Sequence, residues 1–564
     1  MRRNPLLPIA AAAALFACLG GAQASLLSGS ENGDARGFGA YLSGRFAADE
    51  HNIADAAKFY GSSLEHEPGD PTLQALAFFY KTSAGDIDDA AELAERLVAA
   101  SPDDRASRLV LAISALKRKD YRQARDQIGK SAKGSFTSLT VAMVDAWAAA
   151  GLGDSQAAVA DMKSLRGQAG MDALAAFHEA LLLEYLGQPQ AAAEAYGDAM
   201  KIDGPSPRLV NAYGRFLERN GRVADAKALY GKLSANFALN PVLRAAMRRI
   251  ERGDKPDALV SSPQEGVAEA LFGIAASLTQ ESSVDVSILY LRLALYLRPE
   301  LDLANILLGD RMETLQKYDD AIAAYRKVSE DSPYRRMALV QIATDEARLG
   351  KTEDAIRDLK DLSQSDPADV ETWTALGDAY RAADKFADAA KAYDRAVEAL
   401  GPADKLEKKD WPLFYARAIA EDRSQNWPAA EADLQLALKL SPDEPQVLNY
   451  LGYSWVDKGL DIPEALKMLE KARSLKPYDG YIVDSVGWAY YRLGRYGDAA
   501  KTLEDAILLV PGDPTINDHY GDALWKIGRK RDAQFQWNHA LAFGSEGEEK
   551  AKIEQKLQTA GGER

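Results

Sequence analysis

A stretch that begins WTALGDAY at residues 373–380 decides the fold of this chain. It continues with Ala389, Tyr393 and Ala396 ahead of Pro402. Apolar and small side chains at these offsets form the contact faces of two amphipathic helices, and the proline stops the second helix. The stretch therefore predicts one antiparallel helix pair in about 34 residues.

The same spacing recurs along most of the chain. Its clearest copies are built around Gly452, Gly487 and Gly521, each followed by an alanine at the matching offset. Their order and period match the tetratricopeptide pattern, W-x2-L-G-x2-Y…A-x3-F…A…P. We therefore predict an all-α fold, a tetratricopeptide repeat (TPR) α-solenoid. The pattern predicts a right-handed superhelix of antiparallel helix pairs, with about 12–14 repeats in two arrays.

The small residues of the repeat predict close contacts inside each helix pair. Gly487 on a first helix is expected to face Ala499 on the second helix, and Gly521 is expected to face Ala533. A larger side chain at such a contact would overpack it, at a cost of about 1–3 kcal/mol.

Composition divides the chain into five predicted segments. Residues 253–266 read GDKPDALVSSPQEG, the composition of a linker. The segments are a signal peptide at 1–24, a degenerate N-terminal TPR array at 37–252, a linker or irregular junction at 253–267, a C-terminal TPR array at 268–547, and a capping helix and tail at 548–564.

The N-terminus has the pattern of an export signal. Two arginines precede an apolar run at 6–17, and Ala-Gln-Ala at 22–24 gives a cleavage site before Ser25. Residues 15–18, LFAC, also resemble a bacterial lipobox, in which Cys18 carries the lipid. Cleavage before Ser25 and lipidation of Cys18 both stay open. The first predicts a periplasmic protein and the second an outer-membrane lipoprotein that faces the periplasm.

Composition also excludes several function classes. The 564 residues carry a net charge of −16, which repels nucleic acid and anionic lipid surfaces. Cys18 is the only cysteine and the five histidines are scattered, so no metal site is predicted. Motifs of zinc proteases, serine hydrolases and P-loop proteins are missing from the sequence. We predict a non-enzymatic protein with no catalytic residue or cofactor, whose membrane contact is limited to a lipid at Cys18.

One face of the first helices is not used by helix pairing, and helical phase points it toward the concave side of the superhelix. In the last three full repeats this predicted groove is aromatic, with polar groups interspersed. Its residues are Asn449, Tyr450, Tyr453, Tyr481, Asp484, Trp488, Tyr491, Arg492, His519, Asp522, Trp525 and Lys526. Equivalent positions in the N-terminal array, at Asp145, Ala149 and Glu179, are plainer and predict an ordinary solvated or weakly polar groove there.

Trp, Tyr and Arg dominate the energetics of protein interfaces. We therefore predict that the C-terminal groove binds a partner peptide or helix. Burial of these side chains against adjacent repeats or a folded-back cap is the structural alternative.

Several motifs of the C-terminal repeats resemble a known family. They are LGY at 451–453, DSVGWAYYRLG at 484–494, HYGDALWKIG at 519–528 and the terminal Trp537. They resemble bacterial envelope TPR proteins, which include outer-membrane lipoprotein adaptors of a periplasmic carboxy-terminal processing protease and alphaproteobacterial proteins linked to envelope integrity. The resemblance implies an adaptor or scaffold, with that protease or a peptidoglycan hydrolase as partner.

Two further interpretations of the same aromatic face remain open at this point. A structural envelope protein would bury the face in a homo-oligomer of this chain. A wall-glycan binder would stack sugar rings on the tryptophan and tyrosine side chains.

Overall fold

The computed structural model describes residues 35–132, 134–167, 172–234, 240–280 and 283–562. The predicted signal peptide at 1–24 and the predicted lipidation site at Cys18 lie outside these residues. The described part of the chain contains thirty α-helices and no β-strand. The predicted all-α TPR solenoid is confirmed.

The chain divides into two compact units between Leu349 and Gly350. The helices of the first unit are α1 (Ala35–Asp49), α2 (Ile53–His66), α3 (Pro71–Ala84), α4 (Ile87–Ala100), α5 (Arg105–Lys117), α6 (Tyr121–Gly129), α7 (Ser135–Gly151), α8 (Ser155–Lys163), α9 (Asp172–Tyr185), α10 (Pro189–Ile202), α11 (Pro207–Arg219), α12 (Val223–Ser234), α13 (Pro241–Arg252), α14 (Pro263–Ser277), α15 (Val284–Leu297), α16 (Asp302–Thr314), α17 (Tyr318–Tyr325) and α18 (Arg335–Arg348). Consecutive helices from α1 to α12 pack as pairs, as the repeat predicts.

The second unit continues the same pattern. Its helices are α19 (Thr352–Ser365), α20 (Val370–Ala382), α21 (Phe386–Leu400), α22 (Trp411–Arg423), α23 (Trp427–Leu440), α24 (Pro445–Lys458), α25 (Ile462–Leu475), α26 (Gly480–Arg492), α27 (Tyr496–Leu509), α28 (Pro514–Lys526), α29 (Lys530–Ala542) and α30 (Gly547–Gly562). The pairs α20–α21 to α28–α29 are the predicted repeats, and α30 lies where the sequence predicts a capping helix.

Local signals set the ends of the first helices in this unit. The carboxylate of Asp479 accepts hydrogen bonds from the N–H groups of Tyr481 and Ile482 at 3.2 and 3.3 Å, which caps α26. The C-terminal end of another first helix, α24, is capped by Gly459, whose φ of 69° lies in the left-handed region that favours glycine. These caps fix which residues of each first helix face away from the paired second helix.

The glycines of the helix pairs accommodate larger partners than the sequence predicts. A β-carbon at Gly487 would lie 2.6 Å from Cγ of Leu503, and one at Gly521 would lie 2.5 Å from Cδ1 of Trp537. The partners are therefore the large residues one turn after Ala499 and Ala533. The alanine lets the helices approach, and the glycine makes room for the next large side chain.

The predicted junction at 253–267 differs from the observed division of the chain. Residues 253–262 connect α13 to α14 inside the first unit, and α14 packs on α7 and α9. The Gly, Pro and Ser residues thus mark a change of chain direction, after which packing continues. Composition alone does not separate such a turn from a domain linker.

The helices α14 and α15 fill the groove face of the first unit, meaning the side of its first helices that points away from their paired second helices. Gly266 of α14 lies against the fully buried Trp147 of α7. On α15, the hydroxyl of Tyr290 lies 3.2 Å from Oγ1 of Thr140. Further along α15, Nε of Arg292 donates to the carbonyl of Ser83 on α3 at 3.1 Å.

The expected solvated groove in the N-terminal array is therefore wrong. Ala149 is fully buried, Asp145 accepts from Arg125 at 2.7 Å, and Glu179 accepts from Arg166 at 2.7 Å. A helix pair distant in sequence occupies the space, and the local repeat pattern carries no signal of it.

Gly266→Ala is expected to destabilise the protein by about 1–3 kcal/mol. The reason is that the added β-carbon would lie 2.2 Å from Cδ2 of Trp147. Gly197 of α10 offers the matched control because a β-carbon there meets no described atom within 4 Å. Gly197→Ala should be neutral or stabilising by up to about 1 kcal/mol. Urea unfolding compares the two variants, and equal midpoints would contradict the packing of α14 on α7.

Candidate functional site

Three rings from two neighbouring first helices of the second unit form a continuous stack. Trp488 and Tyr491 of α26 are nearly parallel, with ring centroids 4.8 Å apart and an interplanar angle of 7°. His519 of α28 covers the Trp488 ring at 4.0 Å and 11°. We call Tyr491, Trp488 and His519 the aromatic stack. The sequence places all three in the predicted groove, and the structure brings them into contact.

A buried ion pair holds the histidine of the aromatic stack in place. Nδ1 of His519 lies 3.0 and 3.1 Å from the carboxylate oxygens of Asp484, one turn before Trp488 on α26. Both side chains are only 9% exposed. Burial lowers the pKa of His519, but the charge and hydrogen bond of Asp484 outweigh it and raise the pKa above the ordinary value. The pair therefore links α26 to α28 and fixes the ring plane.

Stability is expected to depend on pH through His519. Because the folded-state pKa is raised, the stabilisation from the protonated pair is complete below the ordinary pKa of 6.5 and is lost as pH rises through the folded-state value. We expect the urea midpoint of the protein to fall as pH increases above about 6.5. In His519→Gln this part of the slope should disappear. An unchanged slope in that variant would assign the pH dependence to other groups.

Around the aromatic stack, four predicted groove residues keep surface in solvent. Tyr481 is 56% exposed and Arg492 is also exposed, with its guanidinium donating to the carbonyl of Asp457 at 3.2 Å. Lys526 is exposed and lies 5.8 Å from the ring centroid of Tyr496. Tyr453 is half-buried, and burial raises its pKa to about 12. We call Tyr481, Arg492 and Lys526 the exposed rim.

Other predicted groove residues make contacts within the fold. The hydroxyl of Tyr450 donates to Asp422 of α22 at 2.9 Å, and Oδ1 of Asn449 is buried with no hydrogen-bond partner in the described part of the chain. Trp525 packs on Trp537 of α29 at 5.3 Å, directed toward its own paired helix. The Trp525 ring therefore contacts Trp537 of the paired helix, and Tyr450 joins two repeats.

The terminal helix α30 makes ionic contacts with α28, and at the predicted groove residue Asp522 it is the folded-back cap that the sequence analysis gives as an alternative. Nζ of Lys556 lies 2.7 Å from carboxylate oxygens of both Asp518 and Asp522. Burial raises the pKa of Asp522, and the charge of Lys556 opposes that shift. Ile553 of the same helix is fully buried. The only sequence signal for this contact is the spacing of Asp518 and Asp522, which puts both on one helix face.

The described residues offer few other kinds of site. Among them, no group of three or more potential ligand side chains is arranged to hold a metal ion. None of the helices in the described part of the chain is both long and apolar enough to cross a membrane.

A family comparison finds known repeats in four segments of the chain. The tetratricopeptide repeat family matches residues 82–138, 340–405, 415–479 and 487–546. The matches fall in both units and include α28 and the part of α26 from Gly487 onward. Four segments of the chain therefore match tetratricopeptide repeats, and such repeats suggest a scaffold for protein–protein interaction. The tetratricopeptide repeat fold is typically a non-catalytic scaffold.

Similar sequences are known from distant organisms. The chain is 33% identical over 106 residues to the TPR repeat-containing protein PA4667 of Pseudomonas aeruginosa. These aligned residues make up 19% of this chain and 18% of that protein. It is 30% identical over 142 residues to the general transcriptional corepressor ssn6 of Schizosaccharomyces pombe, which is 25% of this chain and 12% of that protein. The alignments thus span less than a fifth of each relative.

Two solved structures align with this chain at low TM-scores. The APC/C hetero-tetramer Cut9-Hcn1 aligns at a TM-score of 0.40 and 16% identity, covering 93% of this chain and 96% of that chain. A tetratricopeptide repeat protein from Parabacteroides merdae aligns at a TM-score of 0.36 and 16% identity, and the alignment covers 45% of this chain and 97% of that chain.

Proposed function

We propose that this protein is a non-enzymatic scaffold of the bacterial cell envelope whose second unit binds a peptide or helix of a protein partner. The binding surface is the aromatic stack with its exposed rim. The observation that supports the proposal most is the stack itself, in which the buried Asp484–His519 pair orients an indole and a phenol ring that remain partly exposed.

The aromatic stack has the properties of an interface anchor. A held ring presents a large apolar area and loses little conformational freedom on binding. The Trp488 ring stacks on Tyr491 and on His519, and Tyr491 reaches further to Tyr496 at 5.3 Å. The groove face of the first unit is filled by α14 and α15, so the second unit is the better candidate for a partner.

Charges around the stack favour a particular partner chemistry. The carboxylates of Asp484, Asp518 and Asp522 are already paired with His519 and Lys556. The exposed rim carries the cations Arg492 and Lys526. A partner segment with an apolar or aromatic side chain flanked by acidic residues therefore fits this surface best.

The cellular setting of this proposal rests on the sequence. The predicted export signal at 1–24 and the resemblance of the motifs at 451–537 to envelope adaptors support a location in the periplasm or on the outer membrane. They also favour a carboxy-terminal processing protease or a peptidoglycan hydrolase as the partner.

Capture of partners from an envelope extract of the native host tests this proposal. The tagged protein would be compared with Tyr481→Ala, Arg492→Glu, a variant that alters only the exposed rim. Tyr478→Ala, Lys501→Glu is the matched control, since Tyr478 is 85% exposed in the turn before α26 and Lys501 is exposed on α27. We expect one envelope protein to be recovered by the native and control forms and lost by the rim variant. Equal recovery by all three would overturn the proposed surface.

A further inference from the structure

The outer side of α1 exposes a position that a later repeat buries. Two residues after its packing glycine, the first helix α26 has the fully buried Ala489, which packs with Ala465 on the second helix of the preceding repeat. In α1 the packing glycine is Gly44, where a β-carbon would lie 3.1 Å from Cδ1 of Tyr60 on α2. The residue two positions later is Phe46, which is 70% exposed. The side of α1 that corresponds to a contact between repeats is therefore open.

Phe46 belongs to an apolar stripe along this side of α1. Phe38, Leu42 and Phe46 are four residues apart, which puts them on one side of the helix, and each is at least half exposed. No helix precedes α1 in the part of the chain that the structure describes. Terminal repeats of a solenoid usually have a polar outer face, because an apolar one promotes association. We call these three residues the end stripe, and its composition indicates a docking surface.

A groove opens beside the C-terminal half of the end stripe, with a volume of about 670 Å³. Its apolar lining comes from α1 and α2 and comprises Leu42, Phe46, Ala47 and Phe59. Its charged lining consists of two carboxylates and one ammonium group, those of Glu50, Asp55 and Lys317. Phe38 does not line the groove and is exposed at the other end of the end stripe. The surface thus combines an exposed phenyl ring with a space large enough to receive one.

This arrangement makes the surface complementary to itself. If two α1 helices pack antiparallel about a two-fold axis at Leu42, Phe38 of one copy lies opposite Phe46 of the other copy. The phenyl ring of Phe38 then enters the groove that Phe46 borders. The same pairing brings Arg36, in the first turn of one helix, toward Glu50 at the end of the other helix. Shape and charge therefore favour a second copy of this chain over an unrelated helix.

The apolar area of the end stripe suits a reversible dimer. Two phenylalanines of about 150–250 Å² each, more than half exposed, and Leu42 together offer roughly 300 Å² of apolar surface per copy. A standard interface buries about 800 Å² per partner, and about two-thirds of a homodimer interface is apolar. The end stripe supplies more than half of that apolar area, and the groove walls add to it. The interface is thus large enough for reversible association and too small for a permanent dimer.

We propose that two copies of this chain associate through the end stripes of their α1 helices, which pack antiparallel about a two-fold axis at Leu42. Each copy then provides the neighbour that the first repeat of the other copy lacks. This surface belongs to the first unit and does not depend on the partner binding proposed for the aromatic stack and the exposed rim.

Disulfide crosslinking tests the predicted two-fold axis. The full chain with Cys18→Ser contains no cysteine, so Leu42→Cys in that background adds a single thiol, which the axis places next to the same residue of the second copy. We expect mild oxidation to convert most of this variant to a covalent dimer. Leu508→Cys is the matched control, because Leu508 on α27 of the second unit is 78% exposed. Equal crosslinking of the two variants would overturn the proposal.

Sedimentation velocity measures the association without a crosslink. For the full chain with Cys18→Ser, we expect the average mass to rise from one chain toward two between about 1 and 200 µM. Phe46→Asp should keep the mass of one chain at all these concentrations, with an unchanged melting temperature because the ring is exposed. Phe535→Asp, at an exposed position on α29, should dimerise like the parent. A single-chain mass of the parent at every concentration would overturn the proposal and leave a different protein, or residues 25–34, as the occupant. A dimer that survives Phe46→Asp would overturn it as well.

Discussion

Asp484→Ala is expected to lower the free energy of unfolding of the second unit by about 3–5 kcal/mol. The carboxylate is the hydrogen-bond partner of the buried His519, and the pair joins two consecutive first helices. Without it, a buried histidine is left unpaired beneath the Trp488 ring. Protonation is then opposed by burial, and the neutral ring loses its acceptor.

Two further variants make this result specific. Asp484→Asn keeps an acceptor and the side-chain volume, so it should cost less than Asp484→Ala. Asp498→Ala removes an exposed ion pair with Arg495 and should cost less than about 1 kcal/mol. Urea unfolding followed by tryptophan fluorescence measures all three. If Asp484→Ala were no more costly than Asp498→Ala, the pair would not hold α26 and α28 together.

Trp488→Ala is expected to weaken partner binding by about 30-fold or more, which corresponds to at least about 2 kcal/mol. The change removes the central ring of the aromatic stack and leaves Tyr491 and His519 without a common surface. Trp488→Phe keeps a flat ring at this position and should retain most of the affinity. The affinity of the purified partner for each variant provides the measurement.

A second tryptophan provides the control for this binding loss. Trp373 of α20 is also half-buried on a first helix, and its indole N–H donates to the carbonyl of Pro367 at 3.0 Å. Trp373→Ala should reduce stability and leave partner affinity unchanged. If Trp488→Ala and Trp373→Ala reduced partner affinity equally, the loss would come from destabilisation of the second unit and not from a contact of Trp488 with the partner.

Helical phase and the repeat period explain why part of the site could be predicted. The period fixes which residues of α26 and α28 face away from the second helices, so the sequence alone assigns Trp488, Tyr491 and His519 to one face. Their type also indicates an interface surface. The predicted helix pairs follow from the same period.

Contacts between residues distant in sequence explain what could not be predicted. No local pattern indicates that α14 and α15 fill the groove face of the first unit, because each helix is simply apolar on several sides. Trp525 packs on Trp537, and the position of the Trp537 ring depends on the space that Gly521 leaves for it. Lys556 lies beyond the last repeat, where the period no longer assigns positions.

Site-specific photo-crosslinking in living cells would show which protein, if any, lies against the exposed rim of the second unit. A photoreactive phenylalanine analogue would replace Tyr481 at the exposed rim or Tyr478 in the preceding turn, two exposed positions three residues apart. If the exposed rim binds a partner, we expect a crosslink to one envelope protein from position 481 and none to that protein from position 478. Crosslinks from position 481 only to other copies of this chain, or the same product from both positions, would contradict it.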